Sequence, residues 1–288
     1  MSKSPRRRGA GGRRPGRRRP DRFTLYEVAV QGVDWDLDFI ERVWRRRNPG
    51  RKPRDFREDF CSTAALATAW AQRGPARRAW GVDLDAEPLA WARRHRLPHA
   101  REAARRVTLV RGDVRKVRLP RVDAACALNF SWWVFHERAD LLRYLRAARA
   151  ALRPGGVLVL NLFGGGDSEQ ALVERTRKAA ANGPDGTLLP PFTYVWEHSA
   201  VNATDRRLVA HIHFELRDGR RLRRAFTYDW RMYTIPELKD AVREAGFTGF
   251  DVWSEGWDSR AKRGDGRLYH RARIDNEDTW IAYAVAER

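Results

Sequence analysis

Short apolar runs alternate with amphipathic stretches through the first half of the chain, the pattern of strands alternating with helices. Residues 54–85 read as a strand, a tight turn, a helix and a second strand ending in an acid. Phe60-Cys61-Ser62-Thr63-Ala64 is the turn, and helix formers run from Ala65 to Gln72. Gly74-Pro75 breaks that helix, and Ala79-Trp80-Gly81-Val82 leads into Asp83. Val107–Val110 predicts a third strand, with Gly112-Asp113-Val114 at its end. Val122–Leu128 predicts a fourth, ending at Asn129-Phe130. From Asp140 to Leu152, Leu141, Leu142, Leu145, Ala148 and Leu152 recur at helical spacing. Arg153-Pro154-Gly155-Gly156 stops this helix, and Val157–Leu162 is a fifth strand. The alternation predicts an α/β fold with a mainly parallel sheet.

The turn after the first strand lets a ligand approach backbone N–H groups. An acid ending the next parallel strand can take both hydroxyls of a ribose. Together they imply a nucleoside-bearing cofactor. A dinucleotide site would want G-x-G-x-x-G, and a phosphate-binding P-loop would want Gly-Lys-Ser/Thr; neither is present. S-adenosylmethionine (SAM) carries no phosphate and demands less of the turn.

Residues 58–64 resemble the first motif of class I SAM-dependent methyltransferases, an acid followed by three spaced glycines. Glu58 takes the acid position, and Phe60, Ser62 and Ala64 take the glycine positions. A left-handed glycine replaced by another residue would be strained by about 1–3 kcal/mol. The run ALRPGGVLVLNLF resembles the fifth-strand region of the same fold. EDFCSTAAL, GVDLD, NFSWWVF and DNEDTWIAY resemble one uncharacterised subgroup from bacteria and plants, over about Leu25 to Ala286. The resemblance implies a seven-stranded Rossmann-like sheet and SAM as cofactor. It implies cofactor contacts from Glu58, Phe60, Cys61, Ser62, Thr63, Asp83, Leu84, Asp113, Val114, Asn129 and Phe130, with Asp113 on the adenine amino group.

Between Gly164 and Tyr233 lies an insertion. It opens on three glycines, with a helix expected from Ser168 to Ala181. Strand-like segments follow at Thr193–Ala200, Arg207–Arg217 and Arg221–Trp230, with a hairpin signal at Asp218-Gly219. This reads as an antiparallel lid over the carboxyl edge of the main sheet. A helix from Ile235 to Ala245 and strands at Phe247–Trp253 and Trp280–Ala286 complete the pattern. Trp132, Trp133, Tyr228 and Arg231 are the expected substrate-pocket residues: aromatic walls plus a cation for an anionic group. His211 and His213 alternate with Ile212 and Phe214 on a sheet face, without a third ligand, so no metal is expected.

Composition bounds this reading. The chain has 288 residues, 42% of them hydrophobic, which suits one large domain. No apolar run is long enough to span a membrane, and the N-terminus lacks the apolar core of a secretory signal. Cys61 and Cys126 cannot build a disulfide scaffold, so a cytoplasmic setting is expected. Net charge is +20, of which residues 1–22 contribute +9. Those residues are Arg, Gly and Pro with no apolar period, and read as a disordered tail able to attract nucleic-acid phosphates. Six of the 57 basic residues are lysine, a bias that a GC-rich genome produces whatever the function. Residues 23–288 are then one methyltransferase domain, with the insertion 164–233 as its lid. Its preferred acceptor is a small molecule. Protein or RNA methylation, or a non-catalytic SAM-binding module tethered to nucleic acid by the tail, are the alternatives. Catalytic base, acceptor atom and oligomeric state are not legible.

Overall fold

The computed structural model describes residues 20–258 and 263–288. Five strands alternate with helices as the hydrophobic pattern predicts: β1 (Asp55–Asp59), β2 (Arg78–Asp83), β3 (Val107–Arg111), β4 (Val122–Ala127) and β5 (Leu152–Gly164). After the insertion come β12 (Gly249–Asp258), β13 (Arg263–His270) and β14 (Trp280–Glu287). These form one eight-stranded sheet in the order β13-β12-β14-β5-β4-β1-β2-β3. Neighbours from β3 to β5 are parallel, and β14 runs antiparallel to β5. The seven expected strands are all present; β13 is an additional edge strand. The chain winds outward from β1 to β3 on one side and from β4 to β5 on the other. Strand order therefore reverses between β1 and β4, where a crevice opens at the strand carboxyl ends.

Helices α2 (Val33–Arg47) and α3 (Ala65–Gln72) cover one face of this sheet, and α5 (Arg138–Ala151) and α6 (Ile235–Glu244) the other. The α6 start is fixed by a capping box, with Thr234 and Glu237 exchanging side-chain and backbone hydrogen bonds. The central strand β1 is fully buried, yet its sequence is DFRED. Its charges are all engaged. Asp55 takes Arg78 through two bonds of 2.8 and 2.9 Å, Arg57 holds Asp59 at 2.6 Å, and Glu58 accepts the Ala67 N–H at 2.8 Å. Breaking one of these would strand a buried charge.

The insertion is a second sheet of β6 (Leu172–Lys178), β9 (Phe192–His198), β10 (Arg207–Leu216) and β11 (Arg221–Arg231), all antiparallel. A two-residue ladder, β7 (Ala181–Asn182) with β8 (Leu188–Leu189), lies in the loop before β9. The helix expected over Ser168–Ala181 is replaced by β6. Its segment has no apolar stripe, and most of its side chains are exposed, so a helix there would bury nothing. Pairing with β9 satisfies its backbone, and its charged side chains suit a sheet edge.

Two further helices are α1 (Arg22–Val30) and α4 (Ala86–Trp91). Asp21 caps α1 by accepting the Thr24 N–H at 2.9 Å and takes the Trp91 indole N–H at 3.0 Å. Arg22 donates to the Ala225 carbonyl at 3.1 Å. Asp21 and Arg22, assigned by charge to the tail, therefore belong to the folded unit; residues 1–19 of the expected tail lie outside the described residues. On its other side α1 packs Leu25 and Tyr26 against Phe192, Ile212 and Phe214 of the insert. It forms a strap between the two sheets. No helix among the described residues is long and apolar enough to cross a membrane.

Candidate active site

The loop after β1 holds Phe60, Ser62 and Ala64 in the left-handed region, at φ of 55°, 47° and 56°. These are the three positions at which the sequence motif would place glycine. Each left-handed residue with a Cβ costs about 1–2 kcal/mol. The loop is held in that shape by its neighbours. Cys61 N donates to Val82 O at 2.9 Å, and Ser62 N donates to Asp83 Oδ2 at 2.7 Å. Gly81 makes room for the loop, because a Cβ there would lie 2.9 Å from Cys61 Sγ. Ala64 supplies no side-chain cap to α3, so Glu58 reaches up from β1 and takes the Ala67 N–H. Burial pushes Glu58 up to about 8, against the helix N–H groups and Arg96, which pull it down.

A second left-handed pair ends β4: Asn129 at φ 53° and Phe130 at φ 58°. Asn161 on β5 fixes it, with Oδ1 accepting from Phe130 N at 3.0 Å and its carbonyl accepting from Trp132 Nε1 at 2.8 Å. Strained backbone at both lips of the crevice marks a site whose shape is maintained at a cost.

Between these lips lies a cavity of about 460 Å³, roofed by α1 and β11. Glu58, Phe60, Cys61, Ser62, Asp83 and Asn129, all expected there, line it. Asp83 Oδ1 accepts from Asp85 N at 2.9 Å and Oδ2 from Ser62 N. The Leu84 backbone N–H adds to these, and a carboxylate has about four acceptor sites, so Asp83 keeps capacity for a further donor. Burial raises the Asp83 carboxyl above its ordinary value, and its backbone bonds oppose the rise. The Cys61 thiol is buried and pushed well up by burial, which makes it packing rather than a nucleophile.

Other expected residues lie elsewhere. Thr63 is buried beneath the loop, and Leu84 is exposed just beyond Asp83. Asp113 and Val114 line neither this cavity nor the one beside it. The Asp113 carboxylate is taken by Arg115 at 2.8 and 3.0 Å, and Arg115 holds it below its usual range. The Val114 carbonyl accepts from Arg57 at 2.9 Å. The carboxylate expected to meet adenine is thus engaged by an arginine two residues on.

A second cavity of about 240 Å³ adjoins the first, and Tyr26, Asn129, Tyr228 and Trp230 belong to both walls. Tyr228 stacks on Trp230 with centroids 4.5 Å apart, and Phe130 meets Phe163 edge-on at 4.7 Å. His198, also on this wall, donates Nδ1–H to the Ser199 carbonyl at 2.9 Å, since a carbonyl can only accept. In the neutral ring that leaves Nε2 unprotonated.

Of the expected substrate residues, Tyr228 lines both cavities. Trp132 and Trp133 are fully buried and line neither; Trp133 buttresses Phe163 and Trp230 from behind, at 4.7 and 5.9 Å. Arg231 also lines neither. It donates to the His136 carbonyl at 2.9 Å, sits 4.7 Å over the Tyr233 ring and lies 3.5 Å from Glu237. Strand parity explains this: Tyr228 and Trp230 point inward on β11, so Arg231 points out. Sequence reasoning did not anticipate α1, whose Phe23 and Tyr26 roof the first cavity, or Trp196 and His198 of β9. His213 pairs with Glu197 at 3.0 Å on the outer face, and no group of three metal-ligating side chains occurs among the described residues.

Residues 60–156, from the strained loop to the start of β5, match the model of a methyltransferase domain. Solved structures place the chain in a fold. A SAM-dependent methyltransferase from Clostridium acetobutylicum aligns with TM-score 0.64 and 16% identity, over 91% of this chain and 96% of its own. CalS10, an amino pentose methyltransferase from Micromonospora echinaspora, aligns with TM-score 0.61 and 20% identity, over 92% and 96%. The sugar N-methyltransferase KedS8 from a Streptoalloteichus species aligns with TM-score 0.58 and 18% identity, over 99% and 100%. The chain has the class I methyltransferase fold, with an antiparallel sheet inserted after β5. No curated protein matches the sequence.

Proposed function

We propose that this chain transfers a methyl group from SAM to a small-molecule acceptor, with SAM in the first cavity and the acceptor in the second. The observation that carries this reading is the shared wall. Tyr26, Asn129, Tyr228 and Trp230 border both spaces, so a donor in one and an acceptor in the other would meet across a single wall.

The first cavity suits SAM. Asp83 offers remaining acceptor capacity for a ribose hydroxyl, the left-handed loop presents backbone, and no phosphate-binding fingerprint accompanies them. SAM supplies an activated methyl group, and its transfer is an in-line displacement that gains most from proximity, orientation and exclusion of water. The residues supply these. The strap α1 closes the roof, the Asn129–Phe130 corner fixes the junction, and His198 lines the acceptor side. The small-molecule preference rests on the aromatic insert that walls the second cavity. The amino pentose and sugar acceptors named for CalS10 and KedS8 are in keeping with it. The EDFCSTA run supports placing the chain in the uncharacterised bacterial and plant subgroup, and two buried free cysteines suit a cytoplasmic setting.

Calorimetry with SAM, S-adenosylhomocysteine and NAD tests the cofactor. SAM and S-adenosylhomocysteine are expected to bind with one site per chain and NAD not to bind. Tighter binding of NAD would overturn the reading.

A further inference from the structure

The wall of the second cavity has an unusual charge balance for this protein. The chain carries 57 Lys and Arg against 37 Asp and Glu, yet none of those bases lines this cavity. Its one acid is Glu174, at the exposed edge strand β6 and in register with Trp196 on β9. Most acids among the described residues are in ion pairs. The Glu174 side chain has no ion pair or hydrogen bond among the described residues, although Arg175 and Arg177 flank it in sequence. Alternation turns Arg175 to the opposite face, where it pairs with Glu215. Lys178, which shares the Glu174 face, sits 5.7 Å over the Tyr194 ring and outside the cavity wall.

The remaining wall is a box of rings: Phe130, Phe163, Tyr194, Trp196, Tyr228 and Trp230. Trp196 lies 6.0 Å from Trp230 and 6.4 Å from Tyr228, so three large rings are gathered on one side of the cavity. Ring faces are the negative ends of the aromatic quadrupole. A box of them with one free carboxylate at its edge attracts an organic cation and repels an anion. A neutral apolar guest would gain the same contact area but nothing from Glu174.

We infer that the second cavity recognises its acceptor through a cationic amine, held by ring faces and by Glu174. This rests on the reading that the first cavity takes SAM. It replaces the anionic acceptor that an inward Arg231 would have implied.

Tryptophan fluorescence of the full chain, titrated with three probes, tests it. Phenyltrimethylammonium is the cation, tert-butylbenzene its uncharged isostere, and benzoate the anion. The cation is expected to bind at least ~10-fold tighter than the isostere, and benzoate not to compete. Glu174→Gln, a change at an exposed edge position, is expected to weaken the cation by at least ~3-fold and leave the isostere unchanged. Trp196→Leu should weaken both, the cation more. Binding of the isostere or of benzoate as tight as that of the cation, or no binding of the cation, overturns the inference. Calorimetric titration of the same Glu174→Gln protein with SAM separates the two readings. Intact SAM affinity without cation selectivity discards the amine alone. Cation selectivity without SAM binding discards the cofactor reading instead.

Discussion

The backbone N–H of Ser62 donates to Asp83 Oδ2 at 2.7 Å, so the strained loop after β1 and the acid ending β2 are one structural unit. The bond orients the carboxylate that faces the cavity and holds Ser62 at φ 47°. Asp83→Ala would remove both the proposed ribose partner and the loop's anchor. SAM affinity is expected to fall by about 1.5–3 kcal/mol, the scale of hydrogen bonds to a charged group. Calorimetry on the wild type and the variant measures it. An affinity within twofold of wild type would show that Asp83 serves the loop alone.

Left-handed strain at this loop gives a stability prediction of the opposite sign. Ser62→Gly removes a Cβ from a positive-φ position at a site where the contact used is the backbone N–H. It is expected to stabilise the fold by about 0.5–1 kcal/mol, a gain of a few degrees in melting temperature. Gly81→Ala should do the reverse, losing about 1–3 kcal/mol, because the added methyl meets Cys61 Sγ and Leu109.

Asp36 supplies a pH dependence. It is buried at the start of α2 and accepts a hydrogen bond from the Tyr283 hydroxyl at 2.9 Å. Burial pushes its carboxyl up to about 7, whereas in the unfolded chain it titrates near ~3.9. A raised native value favours the protonated form in the fold. That contribution is fully present below about pH 4 and is lost as pH rises through about 7. Asp36→Asn keeps an oxygen for Tyr283 and cannot ionise. It is expected to flatten the fall in stability between about pH 5 and pH 8 by roughly 1–3 kcal/mol, read from urea unfolding at each pH. Equal slopes in variant and wild type would show that Asp36 ionises freely in the fold.

Truncation distinguishes the tail from the strap. Removing residues 1–19 leaves the Asp21 cap and every α1 contact in place, and should change neither melting temperature nor SAM affinity. Removing residues 1–30 takes away the roof that Phe23 and Tyr26 provide. It should abolish tight SAM binding and lower the melting temperature. Normal SAM binding by the longer truncation would show that α1 is dispensable to the site.

What the sequence made legible follows from where the physics is local. The strand–helix alternation and the acid at Asp83 could be read because each depends on neighbours a few residues away. The loop at 60–64 was recognisable by position although its glycines are gone, and the structure keeps their conformation in Phe60, Ser62 and Ala64. Parity errors were harder to avoid. A one-residue alternation turns Arg231 away from the cavity that Tyr228 and Trp230 face, and composition alone does not fix that phase. The edge strand β6 and the strap α1 depend on distant partners. The first needs the free edge of β9; the second is covered on several sides, so it shows no clean apolar stripe. The Arg115 clasp on Asp113 likewise depends on the turn after β3 rather than on the strand that positions the acid.

The most direct test of the two-cavity account is a crystal structure of the full chain grown with S-adenosylhomocysteine. The account predicts the ribose hydroxyls within hydrogen-bond distance of Asp83 and the sulfur facing the junction of Asn129 and Tyr228, with the aromatic cavity beyond it open. A nucleoside seated among Trp196, Tyr194 and Phe163, or a sulfur pointing away from that junction, would contradict it.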